Sequence, residues 1–249
     1  MTRVAILGGV GRMGRALVAC AEGLDIAVTA VVASARSAAL GQDAGEAAGV
    51  RRLGVAITSD LAAALRGAQV VVDFSSPHAA RDHVAQCAEA RVPLLLGTTG
   101  LPDGIEADFA RAAERIPLLV AANTSLGITL LLDLVQRAAR ALPGGFDVSI
   151  IEAHHRAKRD APSGTALALG RVIETAREGE VGYAVVRGGD IVGEHDVQFI
   201  GAGERLTLGH QATDRAIFAR GALQAAAWLV GQAPGRYSMA DVLGIKSAC

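Results

Sequence analysis

The chain has 249 residues, 51% hydrophobic and 20% charged, long enough for two domains of ordinary size with substantial cores. With 24 Lys and Arg against 25 Asp and Glu, the net charge of −1 gives no global drive toward nucleic acid. Aromatics are only 3%, so the cores must be aliphatic, and Cys20, Cys87 and Cys249 are too widely spaced for a disulfide framework or zinc site. The amino terminus, MTRVAILGG, runs directly into a short apolar strand without the parts of a signal peptide. No apolar run approaches the roughly 20 residues of a membrane span. A cytoplasmic protein with no membrane partner and no metal is the expectation.

In chain order, VAIL (4–7) reads as a strand and GRALVACAEG carries helical spacing after it. IAVTAVV (26–32) and VVVDFS (70–75) are the next strands, and Ser76 and Pro77 suit the cap and first position of a helix over PHAARDHVAQCAEA. PLLLGTTG (93–100) and PLLVAAN (117–123) are further buried strands, separated by a helix around Glu106 to Arg115. Short apolar strands alternating with helices predict a parallel sheet covered on both faces. After Asn123 the texture changes to a long amphipathic helix, GITLLLDLVQRAARAL, and then a strand, FDVSIIEAHH. EHDVQFI and ERLTLGHQA, joined by Gly201-Ala202-Gly203, alternate apolar and polar residues and predict an antiparallel hairpin with one packed face. The fold class expected is α/β, a parallel sheet followed by a second, α+β domain. A last helix over about Ala216 to Val230 is open to closing either domain.

Gly8, Gly11 and Gly14 sit between the first strand and first helix with spacing GxxGxxG. Glycine allows close backbone approach, and a helix start offers N–H groups to a pyrophosphate. Arg12 stands where it adds charge. NAD binders usually end strand two on an acid, whereas here the strand ends VVASAR, with Ala33 and Ser34 in place of the acid and Arg36 following. That favours NADPH over NADH. GTTG (97–100) and AANTS (121–125) lie at two further strand ends, where ligands of such sheets collect.

The stretch EAHHRAKRDAPSGTALALG (152–170) places five basic side chains within six residues, His154 to Arg159, before a helix that begins near Gly164 and Thr165. Hydride transfer to an unsaturated substrate needs a proton donor, and His and Lys are the side chains suited to it. A helix start beside cations suits a small substrate with one or two carboxylates. The aromatic platforms of a single-strand nucleic-acid binder are absent from the sequence.

EAHHRAKRDAPSGTALALG resembles the signature E-x-H-H-x-x-K-x-D-x-P-S-G-T-A of the 4-hydroxy-tetrahydrodipicolinate reductase (dihydrodipicolinate reductase) family of lysine and diaminopimelate biosynthesis. VAILGGVGRMG, VVDFSSP, LLLGTTGL, AANTSLG and GGDIVGEHDVQF with GERLTLGHQATDR extend the resemblance along the chain. It implies a homotetrameric, NADPH- or NADH-dependent oxidoreductase with a Rossmann-type cofactor domain over 1–126. A substrate and oligomerisation domain would span 127–214, and the segment 215–249 would return to the first. By position in the motif, His154 is the general acid/base and Lys158 the second proton donor, while His155, Gly164 and Thr165 contact the substrate carboxylates. The implied cofactor contacts are Gly8, Gly9, Val10, Gly11, Arg12, Met13, Gly97, Thr98, Thr99, Ala121, Ala122, Asn123 and Thr124, joined by Ser34 and Arg36.

Three features depart from the family pattern: the missing acid at Ala33-Ser34, Thr124 where many members have an aromatic, and a short REGEVGYAVVRGGD segment where relatives carry a longer oligomerisation loop. The competing expectations are another two-domain dehydrogenase, a dinucleotide sensor without chemistry, and a basic interaction module. His78, His83, His195 and His210 are read as structural or solvated, with His195 and His210 placed by the hairpin to line the site. The cysteines are read as small core residues, with Cys249 a loose terminus.

Overall fold

Val4, Ala5, Ile6 and Leu7 have no solvent exposure, which requires cover on both faces of the strand that carries them. A computed structural model describes residues 1–245, and Cys249 lies outside them. The chain divides into two units, Met1–Thr124 with the chain from Phe218 onward, and Ser125–Ile217.

The first unit contains β1 (Thr2–Leu7), α1 (Arg12–Ala21), β2 (Ile26–Val32), α2 (Ala44–Ala48), β3 (Ile57–Thr58), α3 (Leu61–Gly67), β4 (Val70–Asp73), α4 (Ala80–Ala90), β5 (Leu94–Leu96), α5 (Glu106–Ala113) and β6 (Pro117–Val120). Its seven-stranded sheet runs β11, β6, β5, β4, β1, β2, β3, all pairs parallel, β11 being Gly235–Tyr237 near the end of the chain. This is the Rossmann-type order. The chain builds outward from β1 through β2 and β3, then returns to lay β4 on the other side of β1. The carboxyl ends of β1 and β4 therefore border the crevice where such sheets hold ligands. Cys87 lies in the core with Val84, Leu94 and Phe109, and Cys20 is half-buried on α1.

The second unit contains α6 (Leu126–Ala141), β7 (Asp147–His154), α7 (Gly164–Ala176), β8 (Val181–Arg187), β9 (Gly193–Gly201) and β10 (Glu204–Ala212). The four strands form a mixed sheet ordered β10, β9, β7, β8, in which only β7 and β8 pair in parallel. Val148, Ile150, Val197 and Phe199 pack one face of it against Ile128, Leu131, Leu169 and Ile173 of α6 and α7. The chain then enters α8 (Ala216–Leu229), whose Ala219, Ala222, Leu223 and Ala226 are fully buried, and ends its described part with α9 (Met239–Val242).

Within the short segment after α7, Val181–Arg187 forms β8, a strand the sequence reading did not mark, which closes a parallel βαβ unit with β7 and α7. The hairpin is present, but β10 carries little of its packed face. Leu206 is 39% exposed on β10, which is an edge strand of the sheet. Among the described residues, no helix is long and apolar enough to cross a membrane.

Candidate active site

At the end of β1 the chain turns through Gly8, whose φ of +75° only glycine adopts without strain. The N–H groups of Gly8 and Gly9 both donate to the Val32 carbonyl, at 2.9 and 3.2 Å, pinning the turn to the end of β2. A Cβ on Gly9 would stand 2.1 Å from Val31 Cγ1, and one on Gly14 would stand 2.3 Å from the Gly8 carbonyl oxygen. The glycines thus let α1 start hard against the strand ends. Gly11 caps α1 without any side-chain hydrogen bond, so the first-turn N–H groups of Arg12 and Met13 have no side-chain oxygen over them.

The other residues expected around a dinucleotide fall on neighbouring strand ends of the same sheet. Ala33 is buried, while Ser34 and Arg36 are exposed just beyond β2, with the Arg36 N–H donating to Ser34 Oγ at 3.3 Å. Gly97, Thr98 and Thr99 follow β5, and Ala121 to Thr124 follow β6. Two of these side chains face inward. Thr98 Oγ1 makes long bonds of 3.4 Å to Asp73, and Thr124 is 1% exposed with its hydroxyl donating to the Phe218 carbonyl at 2.7 Å. Thr124 therefore braces α8 and presents no side-chain surface.

Phe74, absent from the expected set, fills the middle of this group. A Cβ on Gly97 would meet its ring at 2.2 Å, and one on Gly8 would meet its carbonyl oxygen at 2.6 Å. Just before it, buried Asp73 accepts from the Ser75 N–H and pairs with His83 Nδ1, both at 2.8 Å. His83 is thus structural, and His78 is exposed.

In the second unit, the alternation of β7 sets the site. Val148, Ile150, Glu152 and His154 point to the helix-covered face, so the strand's packed side ends on a carboxylate and an imidazole. Glu152 has no solvent exposure. Its Oε2 takes the Nδ1 of His154 at 2.6 Å and Arg187 Nη1 at 2.7 Å, while Oε1 accepts from Arg187 Nη2 at 2.7 Å and from the Ser163 N–H at 3.1 Å. Ser163 caps α7 through the Ala166 N–H. One carboxylate therefore ties His154 to the start of α7, whose first two residues are Gly164 and Thr165.

His195, on β9 opposite Glu152, stacks edge-on against His154 with ring centroids 5.1 Å apart, and its Nε2 meets Ser163 Oγ at 3.0 Å. His210 pairs with His195 across the hairpin and lies against Gly127. His155 is half-buried one residue past the strand, and Lys158 is held by a two-point bond to Asp160 at 2.8 and 2.7 Å. The structure thus brings together His154, Lys158 and the Gly164–Thr165 helix start. It adds Glu152, Ser163, Arg187 and His195, which the sequence reading had left out of the catalytic set. Arg156 and Arg159 of the basic cluster are exposed.

The electrostatics follow from this packing. Burial alone would raise the Glu152 carboxyl, but the bonds from Arg187, His154 and the Ser163 N–H outweigh it and hold it below its ordinary value. Burial pushes the His154 ring down. Glu152 pulls it back up, Lys158 and Arg187 oppose that pull, and the ring stays below its usual range. Burial, with His154 beside it, takes His195 down to about 4. The unit thus holds a carboxylate-anchored imidazole among cations, an arrangement suited to passing one proton beside an anionic ligand. Among the described residues, no group of three or more His, Cys, Asp or Glu is placed to hold a metal.

Models of the amino- and carboxy-terminal parts of dihydrodipicolinate reductase match residues 2–124 and 127–243. The 4-hydroxy-tetrahydrodipicolinate reductase of Thiobacillus denitrificans is 48% identical, with 98% of this chain and 99% of that one covered. That of Anaeromyxobacter dehalogenans is 46% identical with 99% of each covered. The solved structure of dipicolinate-bound dihydrodipicolinate reductase from Paenisporosarcina sp. TG-14 superposes with a TM-score of 0.81 at 25% identity, covering 96% of this chain and 97% of that one. GenD2 from gentamicin A biosynthesis, solved with NAD, shares the fold alone, at 16% identity and TM-score 0.63 with 98% and 90% covered. Both halves match in order and full-length relatives agree at nearly half their positions, so the chain belongs to the dihydrodipicolinate reductase family.

Proposed function

We propose that the chain is a nicotinamide-dependent oxidoreductase that reduces the dehydrated form of 4-hydroxy-tetrahydrodipicolinate to tetrahydrodipicolinate, in the cytoplasmic route to diaminopimelate and lysine. The observation that carries this is the meeting of His154 and the start of α7 at the Glu152 carboxylate, which sets a proton-carrying ring beside an anion-binding helix end. The names of the full-length relatives and the dipicolinate held by the Paenisporosarcina protein support a dicarboxylate substrate.

The glycine turn fits the phosphates of a dinucleotide: a Cβ on Gly9 or Gly14 would collide with neighbouring atoms, and the α1 start has no side-chain cap. Gly8, Gly9, Val10, Gly11, Arg12 and Met13 would hold the pyrophosphate, with Gly97, Thr98, Thr99 and Ala121 to Thr124 around the nicotinamide. Exposed Ser34 and Arg36, with no carboxylate at the end of β2, favour NADPH over NADH. When bound, the reduced nicotinamide supplies a hydride. His154 and Lys158 supply the proton that reduction also requires, and His155, Gly164 and Thr165 hold the carboxylates. A homotetramer assembled through the second unit, as the family resemblance implies, would cover the exposed far face of its sheet, Val186 included.

The test is oxidation of NADPH, and separately NADH, by the purified chain, with substrate generated in place by the preceding synthase from pyruvate and aspartate semialdehyde. Rapid synthase-dependent oxidation with NADPH preferred is expected. Tight NADPH binding without turnover would replace this reading with that of a dinucleotide sensor.

A further inference from the structure

We infer that Glu152 and Arg187 form a charge clamp that positions His154, holding its Nδ1 so that Nε2 alone exchanges the proton of the reaction. The inference rests on the reductase reading and assigns roles to two residues outside the catalytic set read from the sequence.

Three observations lead to it. First, Glu152 is fully buried, and its two oxygens accept four bonds: from His154, from both terminal nitrogens of Arg187 and from the Ser163 N–H. A carboxylate so saturated stays ionised, and an ionised carboxylate only accepts. The His154 nitrogen facing it must therefore carry a hydrogen, which leaves Nε2 as the variable position. Second, Nε2 is directed past β9 at Gly193, where a Cβ would stand 3.0 Å away, so glycine at that position keeps the ring's exchanging edge clear. Third, Arg187 is anchored beyond Glu152: Nη2 also donates to the Asp160 carbonyl at 2.7 Å, and Asp160 holds Lys158. The clamp thus sets the ring and braces the loop that carries the second proton donor.

The groups facing His154 are Glu152 on its own strand, Arg187 on β8, His195 on β9, and Lys158 with Asp160 on the loop, with His210 of β10 behind His195. Glu152 is the anion in direct contact with the ring, so its charge favours the imidazolium. Arg187 opposes it. If the ring donates the proton, turnover falls as pH rises past its titration. Removing the Glu152 charge must move that fall to lower pH, and removing Arg187 must move it to higher pH. Two opposite shifts from two residues of one ion pair are not what lost packing would produce.

The experiment measures kcat and KM against pH for the wild type and for Glu152→Gln, Glu152→Asp and Arg187→Met. NADPH affinity and thermal melts serve as checks of folding. Glu152→Gln is expected to lose at least about tenfold in kcat, and no more than the 10²–10⁴-fold that acid–base transfer supplies, at little changed KM. Its alkaline limb should move to lower pH, Glu152→Asp should restore that limb, and Arg187→Met should move it upward. A folded Glu152→Gln whose limb stays put, or an Arg187→Met limb that moves down, overturns the clamp. Nitrogen-15 spectra of the wild-type histidines decide the matter without any variant or turnover. Above its titration the His154 ring must carry its hydrogen on Nδ1, and a hydrogen on Nε2 refutes the inference. A wild type with that tautomer but no turnover would instead remove the reductase reading and leave the positioning intact.

Discussion

Alanine at Gly14 tests whether α1 is seated by backbone approach to the glycine turn. The added methyl would lie 2.3 Å from the Gly8 carbonyl oxygen and 2.4 Å from the Gly9 Cα. Both atoms belong to a turn pinned by two bonds to the Val32 carbonyl, so neither yields without moving the strand end. Helix propensity alone would reward the change by about 1 kcal/mol. Overpacking against atoms that cannot move costs about 1–3 kcal/mol, and contact this close belongs at the upper end. The net is a loss of about 1–2 kcal/mol, or a melting point lower by roughly 2–8 °C at about 2–4 °C per kcal/mol for a chain of this size. Displacing α1 also withdraws its first-turn N–H groups from a phosphate, so NADPH binding should weaken about tenfold, equivalent to about 1.4 kcal/mol. Gly67, the last residue of α3, has nothing within 4 Å of its Cβ direction. Alanine there should leave binding alone and gain up to about 1 kcal/mol. Thermal melts and NADPH fluorescence titrations of both variants decide it. A Gly14→Ala protein that melts no lower than the wild type and binds NADPH normally would refute the close-approach account.

Other expectations follow from the same geometry. His154→Gln should lower kcat by about 10²–10⁴ with KM little changed, and full turnover in steady-state assays would remove the ring from the mechanism. Ser34→Asp should shift the ratio of NADPH to NADH use toward NADH, because a carboxylate at the end of β2 repels a 2′-phosphate and accepts from a 2′-hydroxyl. An unchanged ratio would show that this strand end does not touch the ribose. His195 titrates near 4 when folded, against an ordinary 6.5. The unfolded chain thus takes a proton that the folded chain refuses between those values. Stability is full above about pH 6.5 and falls by up to about 1.4 kcal/mol per unit as pH drops through that window. His195→Asn should remove about one proton from the slope in urea unfolding series, and identical slopes would contradict the burial argument.

The strands of the first unit were legible because a parallel strand buried on both faces is a continuous apolar run, as in Val4 to Leu7. Strand β8 was not, because Tyr183, Val185 and Val186 alternate no polarity that would mark a packed side, and all three remain exposed. The active-site histidine could be picked out by residue type and spacing alone, but its electrostatic setting could not. Glu152, two residues before His154 on a strand of period two, had to share its face, and that much was deducible. Its counter-ion was beyond reach: Arg187 lies 35 residues away and arrives only through the β7–α7–β8 crossover, in the register that sets His154 opposite Arg187. The basic stretch looks more cationic as a sequence than it is as a site for one local reason and one distant one. Lys158 is matched by Asp160, and Arg187 by Glu152. A run of charges shows which residues are near in sequence, whereas the field at the proton-carrying nitrogen depends on partners that only the sheet register brings in. In this chain the register adds the Arg187–Glu152 pair to the local Lys158–Asp160 pair, leaving two ion pairs around one titratable ring.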